Sequence, residues 1–312
     1  LSLTKKAVIL DTDMGPDCDD VGALVTLISY AKQYDFDILG VCHCTSNRSG
    51  VGTIDAVAEY CGYPIANLGQ WEHPGFLDDD ACLKYSIEVA QRFSEKYANG
   101  TLKITPSVEF YRKTLAAAPD DGVVIITIGM FNDLAALLRS GADDISPLSG
   151  MELVKAKVNC LVSMAAILPE GRECNVISDY KAAEVVFNEW PTAVYLSDFH
   201  IGWQIMTGYD PADPHPDSPL YESYRLYTAG RCQNSSYDLT AVQYAVTDSV
   251  DLLHGSDNTV LSVDQSVHNG LDSFAVCGHS DVDSVQNFLT LDLGLVGELA
   301  VDADTLAQAL GQ

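Results

Sequence analysis

The 312-residue chain is 47% hydrophobic and carries 44 acidic against 17 basic residues, a formal charge of -27. Nearly half the residues can enter a core, which excludes a disordered chain. The negative field repels phosphate backbones and anionic surfaces, which excludes nucleic acid as the expected partner.

No apolar run approaches the roughly 20 residues of a membrane span, so no membrane partner is expected either. The nine cysteines are odd in number and scattered without a CxxC pair. They read as small buried thiols in a reducing, cytoplasmic setting rather than as a zinc or redox centre. The chain opens on Leu1 rather than a methionine, and that leaves a secreted or periplasmic protein with a removed leader open.

Ala7-Val8-Ile9-Leu10 is a short apolar run that stops at Asp11-Thr12-Asp13-Met14-Gly15-Pro16, as a buried parallel strand stops at a loop. Asp19 and Asp20 then open a helix whose apolar face is Val21, Leu24, Leu27 and Ile28, with the acids where the helix dipole favours them. Further strands are predicted at 38–42, 64–68, 123–126, 158–162 and 193–196, and helices at 54–60, 132–138, 180–188 and 201–206. This alternation predicts a Rossmann-like α/β fold with a mostly parallel sheet covered on both faces and ligands beyond the carboxyl ends of its strands.

Two stretches break the rhythm. Residues 71–105 carry Asp78-Asp79-Asp80 and one amphipathic helix, and residues 208–222 are rich in Pro and Asp; segments of this size serve as lids or site walls. Alternation from Thr259 to Cys277 predicts added antiparallel strands, and the tail from Asp281 ends in a predicted helix. No repeat or low-complexity linker interrupts the chain, so residues 1–312 are expected to form a single domain.

Five carboxylates fall between Asp11 and Asp20. They repel one another unless a cation neutralises them or some hold protons, and hard oxygen ligands select calcium or magnesium. The spacing is not that of an EF-hand. Taken alone, the run fits an exposed acidic turn equally well.

The run resembles the aspartate fingerprint of the inosine-uridine-preferring nucleoside hydrolase family, a DxDxGxDD-like sequence at the end of the first strand, in the longer DTDxGxDxDD form of its bacterial branches. Keeping the Asp19-Asp20 pair at the helix start makes Asp13 and Asp20 the implied calcium ligands and Asp19 the acceptor for a ribose hydroxyl. An ungapped alignment instead promotes Asp17 and brings Cys18 to a metal position that suits a hard cation poorly. Thr127-Ile128-Gly129-Met130-Phe131-Asn132 looks like the family's TGxLTN segment, whose threonine gives its carbonyl to calcium, although Phe131 departs from the pattern.

Ser163-Met164 and Pro169 to Asn175 look like the ribose-binding stretch. They imply Glu173 and Asn175 on the sugar hydroxyls and Met164 on the pocket wall, while Asn47 matches an asparagine that buttresses the ribose. Ser236 to Val242 resembles the HDPxAV segment and makes Asp238 a further calcium ligand. Its spacing of three, four and seven to Ala241, Val242 and Ala245 puts that carboxylate on an apolar helix face, where it needs a partner.

Tyr237 stands where the better-known branch has a histidine proposed to protonate the leaving base. With an unperturbed pKa of about 10 it is a weak acid, expected to stack on or hydrogen-bond the base. His200, Trp203, Trp71 and His73 are further candidates for the wall.

The resemblance implies a calcium-dependent hydrolase that splits ribonucleosides into ribose and base, with Asp13 as metal ligand and general base, assembled as a homodimer or tetramer. Two rivals stand beside it. One is a non-catalytic calcium- and ribonucleoside-binding protein that has lost leaving-group activation at Tyr237. The other is a haloacid-dehalogenase-like phosphatase with Asp11 as covalent nucleophile and Asp13 as acid, for which no convincing GDxxxD motif is present.

Overall fold

The computed structural model describes residues 7–34, 36–78, 83–167, 171–203 and 205–246, and the backbone of 247, 253–263, 269–280 and 300–301. Seven strands, β1 (Ala7–Thr12), β2 (Asp37–His43), β3 (Leu68–Gln70), β4 (Thr105–Pro106), β5 (Val123–Thr127), β6 (Val158–Met164) and β7 (Ala193–Ser197), form a parallel sheet in the order β4-β3-β2-β1-β5-β6-β7. A short antiparallel sheet adds β8 (Met206–Gly208) and β9 (Gln233–Ser235). β10 (Leu253–Val263) and β11 (Asn269–Ser280) extend the main sheet beyond β7, with β11 parallel to β7 and β10 antiparallel to β11. That pair is the C-terminal addition predicted from the alternation, and β12 (Ala300–Val301) pairs with β8. Most of the helix predicted after Asp281 lies outside the described residues.

Twelve helices connect these strands among the described residues: α1 (Asp19–Gln33), α2 (Arg48–Tyr60), α3 (Ser86–Phe93), α4 (Glu95–Ala98), α5 (Ser107–Ala117), α6 (Asn132–Arg139), α7 (Gly150–Lys157), α8 (Cys174–Ser178), α9 (Tyr180–Glu189), α10 (Phe199–Trp203), α11 (Pro219–Tyr227) and α12 (Tyr237–Thr247). None is long and apolar enough to cross a membrane. β1 is buried along its whole length, as a strand covered on both faces must be. Val8 and Leu10 pack with α1, α2 and α12 on one face, and Ile9 packs with α5, α6, α7 and α9 on the other. Burying each such side chain contributes about 1.5–3 kcal/mol.

β2 lies on one side of β1 and β5 on the other. The chain therefore reverses direction across the sheet at β1, which opens a crevice at the carboxyl ends of β1 and β5.

Several boundaries differ from the sequence expectation. The strand predicted at 64–68 begins only at Leu68, because pairing runs from Leu68 to Gln70 against Val41 to His43, and Pro64 lacks a ladder donor. The helix predicted at 201–206 ends at Trp203, and Met206 already pairs with Ser235 in β8. The segment 71–105 holds two helices, α3 and α4, where one was predicted.

Candidate active site

The loop leaving β1 turns its acids inward. Oxygens of Asp17, Asp20 and Asp238 all lie within 4.8 Å of one another. Asp20 sits in the first turn of α1, where the helix dipole favours a negative charge. The Thr12 hydroxyl donates to its Oδ1, and its Oδ2 has no partner. Burial first, then mutual repulsion, pushes the carboxyls of Asp13, Asp20 and Asp238 well above the carboxylate range, and burial pushes Asp17 up as well.

A desolvated, all-oxygen set with an unpartnered lone pair is costly as it stands and fits a hard divalent cation. His43 fixes the loop from behind. Its ring, held neutral with a pKa lowered to about 4 by burial, sits between two carbonyls, Met14 at 3.2 Å from Nε2 and Thr45 at 3.2 Å from Nδ1. Gly129 permits the close approach of the loop after β5, since a Cβ there would lie 2.8 Å from the Asp13 nitrogen.

A cavity of about 290 Å³ opens beside these acids. Its walls are Asp13, Pro16, Asp17 and Asp238, then Ile128, Met164, Ile167, Glu173, Cys174 and Asn175, with Phe199, Tyr227 and Tyr237 as aromatic walls and Lys84 and Arg172 as cations. Glu173 caps α8. Its carboxylate accepts from the backbone nitrogens of Asn175 (2.7 Å), Val176 (3.1 Å) and Ala166 (3.2 Å). Burial nevertheless lifts its pKa to about 7 against those three donors.

Glu173 thereby clamps Ala166, whose φ of 77° is a left-handed conformation that a non-glycine residue adopts only under constraint. Asn175 donates from Nδ2 to the carbonyls of Ile128 (3.2 Å) and Met164 (3.1 Å). Its Oδ1 is thus left as an acceptor on the cavity wall. Tyr237 stacks on Phe199 with ring centroids 4.8 Å apart and an interplanar angle of 23°, and burial raises its phenol pKa.

The structure brings together Asp13, Met164, Glu173, Asn175, Tyr237 and Asp238 in one cavity, with Asp20 among the acids beside it. Three other predicted residues do not line that cavity. Asp19 does not line the cavity: its carboxylate accepts from Asn234 Nδ2 and from the backbone nitrogen of Asp238, each at 3.1 Å, and so binds the start of α12 to α1. Asp17, which the ungapped alignment promotes, takes the inward position instead. The Thr127 side chain is fully buried on the far face of β5, whereas the role the resemblance gives this residue belongs to its backbone carbonyl.

Asn47 caps α2, accepting from Ser49 and donating to Ser86, away from the cavity walls. Of the further wall candidates, His200 pairs with Asp198 at 3.2 Å and Trp203 is 56% exposed; neither they nor Trp71 and His73 line the cavity. Asp11, the nucleophile of the phosphatase reading, is fully buried with Tyr111 donating to it and does not reach the cavity. That geometry removes the phosphatase reading.

Sequence reasoning missed Phe199, Tyr227, Lys84 and Arg172. Phe199 carried a faint signal, an aromatic just past the end of β7, whereas Lys84 and Arg172 come from irregular loops that have no periodicity to read.

No family model and no curated protein matches the sequence. Solved structures do match over nearly the whole chain. An inosine-guanosine nucleoside hydrolase aligns with a TM-score of 0.69 at 16% identity, covering 95% of this chain and 99% of that one. An inosine-uridine-preferring nucleoside hydrolase from Bacillus anthracis aligns at 0.66 and 14%, covering 92% and 98%. A purine-preferring ribonucleoside hydrolase from Gardnerella vaginalis aligns at 0.64 and 19%, covering 93% and 99%. At these identities the likeness establishes the fold, a parallel sheet flanked by helices of the kind these hydrolases share.

Proposed function

We propose that the chain hydrolyses the N-glycosidic bond of ribonucleosides to ribose and free base, with calcium as its cation. The observation that carries this reading is the meeting, in one cavity at the carboxyl ends of β1, β5 and β6, of buried carboxylates with a polar wall and an aromatic pair. The nucleoside hydrolases that share the fold support it.

Asp17, Asp20 and Asp238 would hold the ion, with Asp13 beside them. When bound, calcium supplies the positive charge that offsets these acids, acidifies water and favours a vicinal diol. Asp13, on the cavity wall beside the acids that would hold the ion, is the general base. Asn175, its amide nitrogen tied to two carbonyls, presents Oδ1 to a ribose hydroxyl, and Glu173 holds the Asn175 backbone and the Ala166 turn in place.

Asp19 acts at one remove by fixing the backbone of Asp238, and Asn47 supports the wall only through α2. Phe199 and Tyr237 offer a stacking surface to the base. Burial raises the Tyr237 phenol further above its ordinary weak acidity, so its part is to stack on or hydrogen-bond the base as the bond breaks through an oxocarbenium-like state.

The test is ribose release from inosine, uridine, adenosine and p-nitrophenyl riboside, with calcium and after chelation. The expected outcome is release that chelation stops, fastest from the aryl riboside, whose leaving group needs no acid. Calcium binding without release from any member would replace the hydrolase reading with the binding-protein one.

A further inference from the structure

On the opposite face of the sheet lies a second cluster that the proposed reaction does not use. Cys42, Asp11, Thr127 and Ser163 are register partners across β2, β1, β5 and β6. Partners in adjacent parallel strands project from the same face. That face is fixed by the residues two positions earlier, Ile9, Ile125 and Leu161, which pack beneath α5, α6 and α9. Asp133, in the first turn of α6, comes down onto the row.

The sulfur of Cys42 and oxygens of Asp11 and Asp133 all lie within 4.8 Å of one another, and all three residues are fully buried. Oδ1 of Asp11, Oδ1 of Asp133 and the hydroxyls of Thr127 and Ser163 have no hydrogen-bond partner. Among the described residues no Lys, Arg or His forms an ion pair with either acid.

We infer that Asp11, Cys42 and Asp133 form a second metal site, one that takes a borderline-soft divalent cation such as zinc. The donor set decides the class of ion. Three protein ligands in a sealed space cannot meet calcium's need for six to eight oxygens, whereas zinc accepts four mixed sulfur and oxygen ligands.

The spacing agrees. Cys42 Sγ lies 3.3 Å from Asp133 Oδ2, close to the edge of roughly 3.5 Å expected for a tetrahedron with Zn–S and Zn–O bonds of about 2.3 and 2.0 Å. A hydroxyl from the row or a water completes the four. Tyr111, donating to Asp11 Oδ2, orients that carboxylate as a hydrogen-bonded metal ligand requires. The ion pins α6 to β1 and β2 two residues behind Asp13.

The probe is cobalt(II), supplied while the intact chain is expressed, with metal content measured after exchange into calcium buffer. The expected result is one equivalent of cobalt with a thiolate-to-cobalt charge-transfer band, lost in Cys42→Ser and in Cys42→Ala but kept in Asp17→Asn. Wild-type protein that holds calcium alone, with neither cobalt nor zinc, overturns the inference without touching the hydrolase reading. A band that persists in both Cys42 variants overturns it as well. The wild-type stoichiometry decides the matter even where a variant fails to fold.

Discussion

Two groups of buried acids begin two residues apart in β1 and part company at the sheet. Asp13, just past the strand, joins Asp17 and Asp238 at the wall of a cavity; Asp11, still in the strand, is sealed under α6 with Cys42 and Asp133. Burial raises the pKa of Asp11 as it does that of Asp13, so desolvation does not tell the groups apart. Access does: the first lines a cavity with a polar wall and a stacking surface, and the second does not line it. A perturbed carboxylate marks a candidate site, and its place, inside the strand or in the loop past the strand's end, decides whether a substrate can reach it.

The strongest way to break this contrast is to exchange the losses. Asp13→Ala is expected to lower kcat/KM by about 10²- to 10⁴-fold, the range general-base catalysis supplies, with circular dichroism unchanged. Asp11→Ala leaves the Tyr111 hydroxyl without its acceptor and is expected to cost about 1–3 kcal/mol of stability in a denaturant melt. An Asp13→Ala protein with full turnover would remove the base from its assigned role.

Next in size, Asp20→Asn and Asp17→Asn are expected to weaken calcium binding in calorimetry by more than the roughly 10- to 100-fold that losing an outer hydrogen-bond partner costs a metal site. Asp19→Asn, which disturbs only the support of Asp238, should fall inside that range or below it. An Asp19 variant that loses calcium as completely as Asp20→Asn would restore Asp19 to the site.

Glu173 gives a pH test. Its folded pKa of about 7 lies above its ordinary value of 4.5, so the folded state holds a proton that the unfolded chain releases between those values. The stability linked to that proton is present in full below about pH 4.5 and is lost as pH rises through 7, on the order of 3 kcal/mol. Calcium-free melts across this window should show the decline in wild type and a shallower one in Glu173→Gln. Equal slopes would mean the three backbone donors already keep the carboxylate charged.

The smallest effect belongs to a control that lines neither the cavity nor the second cluster. Arg112, nearly fully buried, binds Asp143 through Nε at 2.8 Å and Nη2 at 2.7 Å and holds the Asp143 pKa down to about 2. Since that folded pKa is depressed, the linked stability is present above about pH 4 and is lost as pH falls through 2. Asp143→Asn should lose it in acid melts with kcat/KM unchanged.

Much of the fold was legible because the central strands are short apolar runs closed by polar loops and the helices repeat every three or four residues. β1, β5, β6, α1 and α9 follow those patterns nearly to the residue. α7 carries its own signal, the Ser149–Glu152 capping box at its start.

The site was legible where motif spacing mattered, as at Asp13, Glu173, Asn175 and Asp238. It was not legible in irregular segments: Lys84 and Arg172 reach the cavity from loops that have no periodicity. Between Gly15 and α1 the spacing likewise gives no sign that Asp17 turns inward while Asp19 reaches across to Asn234 and Asp238, since Asn234 lies 215 residues away.

The most direct test of the central claim is to measure ribose release from p-nitrophenyl riboside as free calcium is varied, on the same sample whose calcium occupancy is followed by titration. The account predicts that rate and occupancy rise together with one midpoint, and that Asp20→Asn shifts both to higher calcium by the same factor. Turnover that continues at its full rate after the site has been emptied would contradict it.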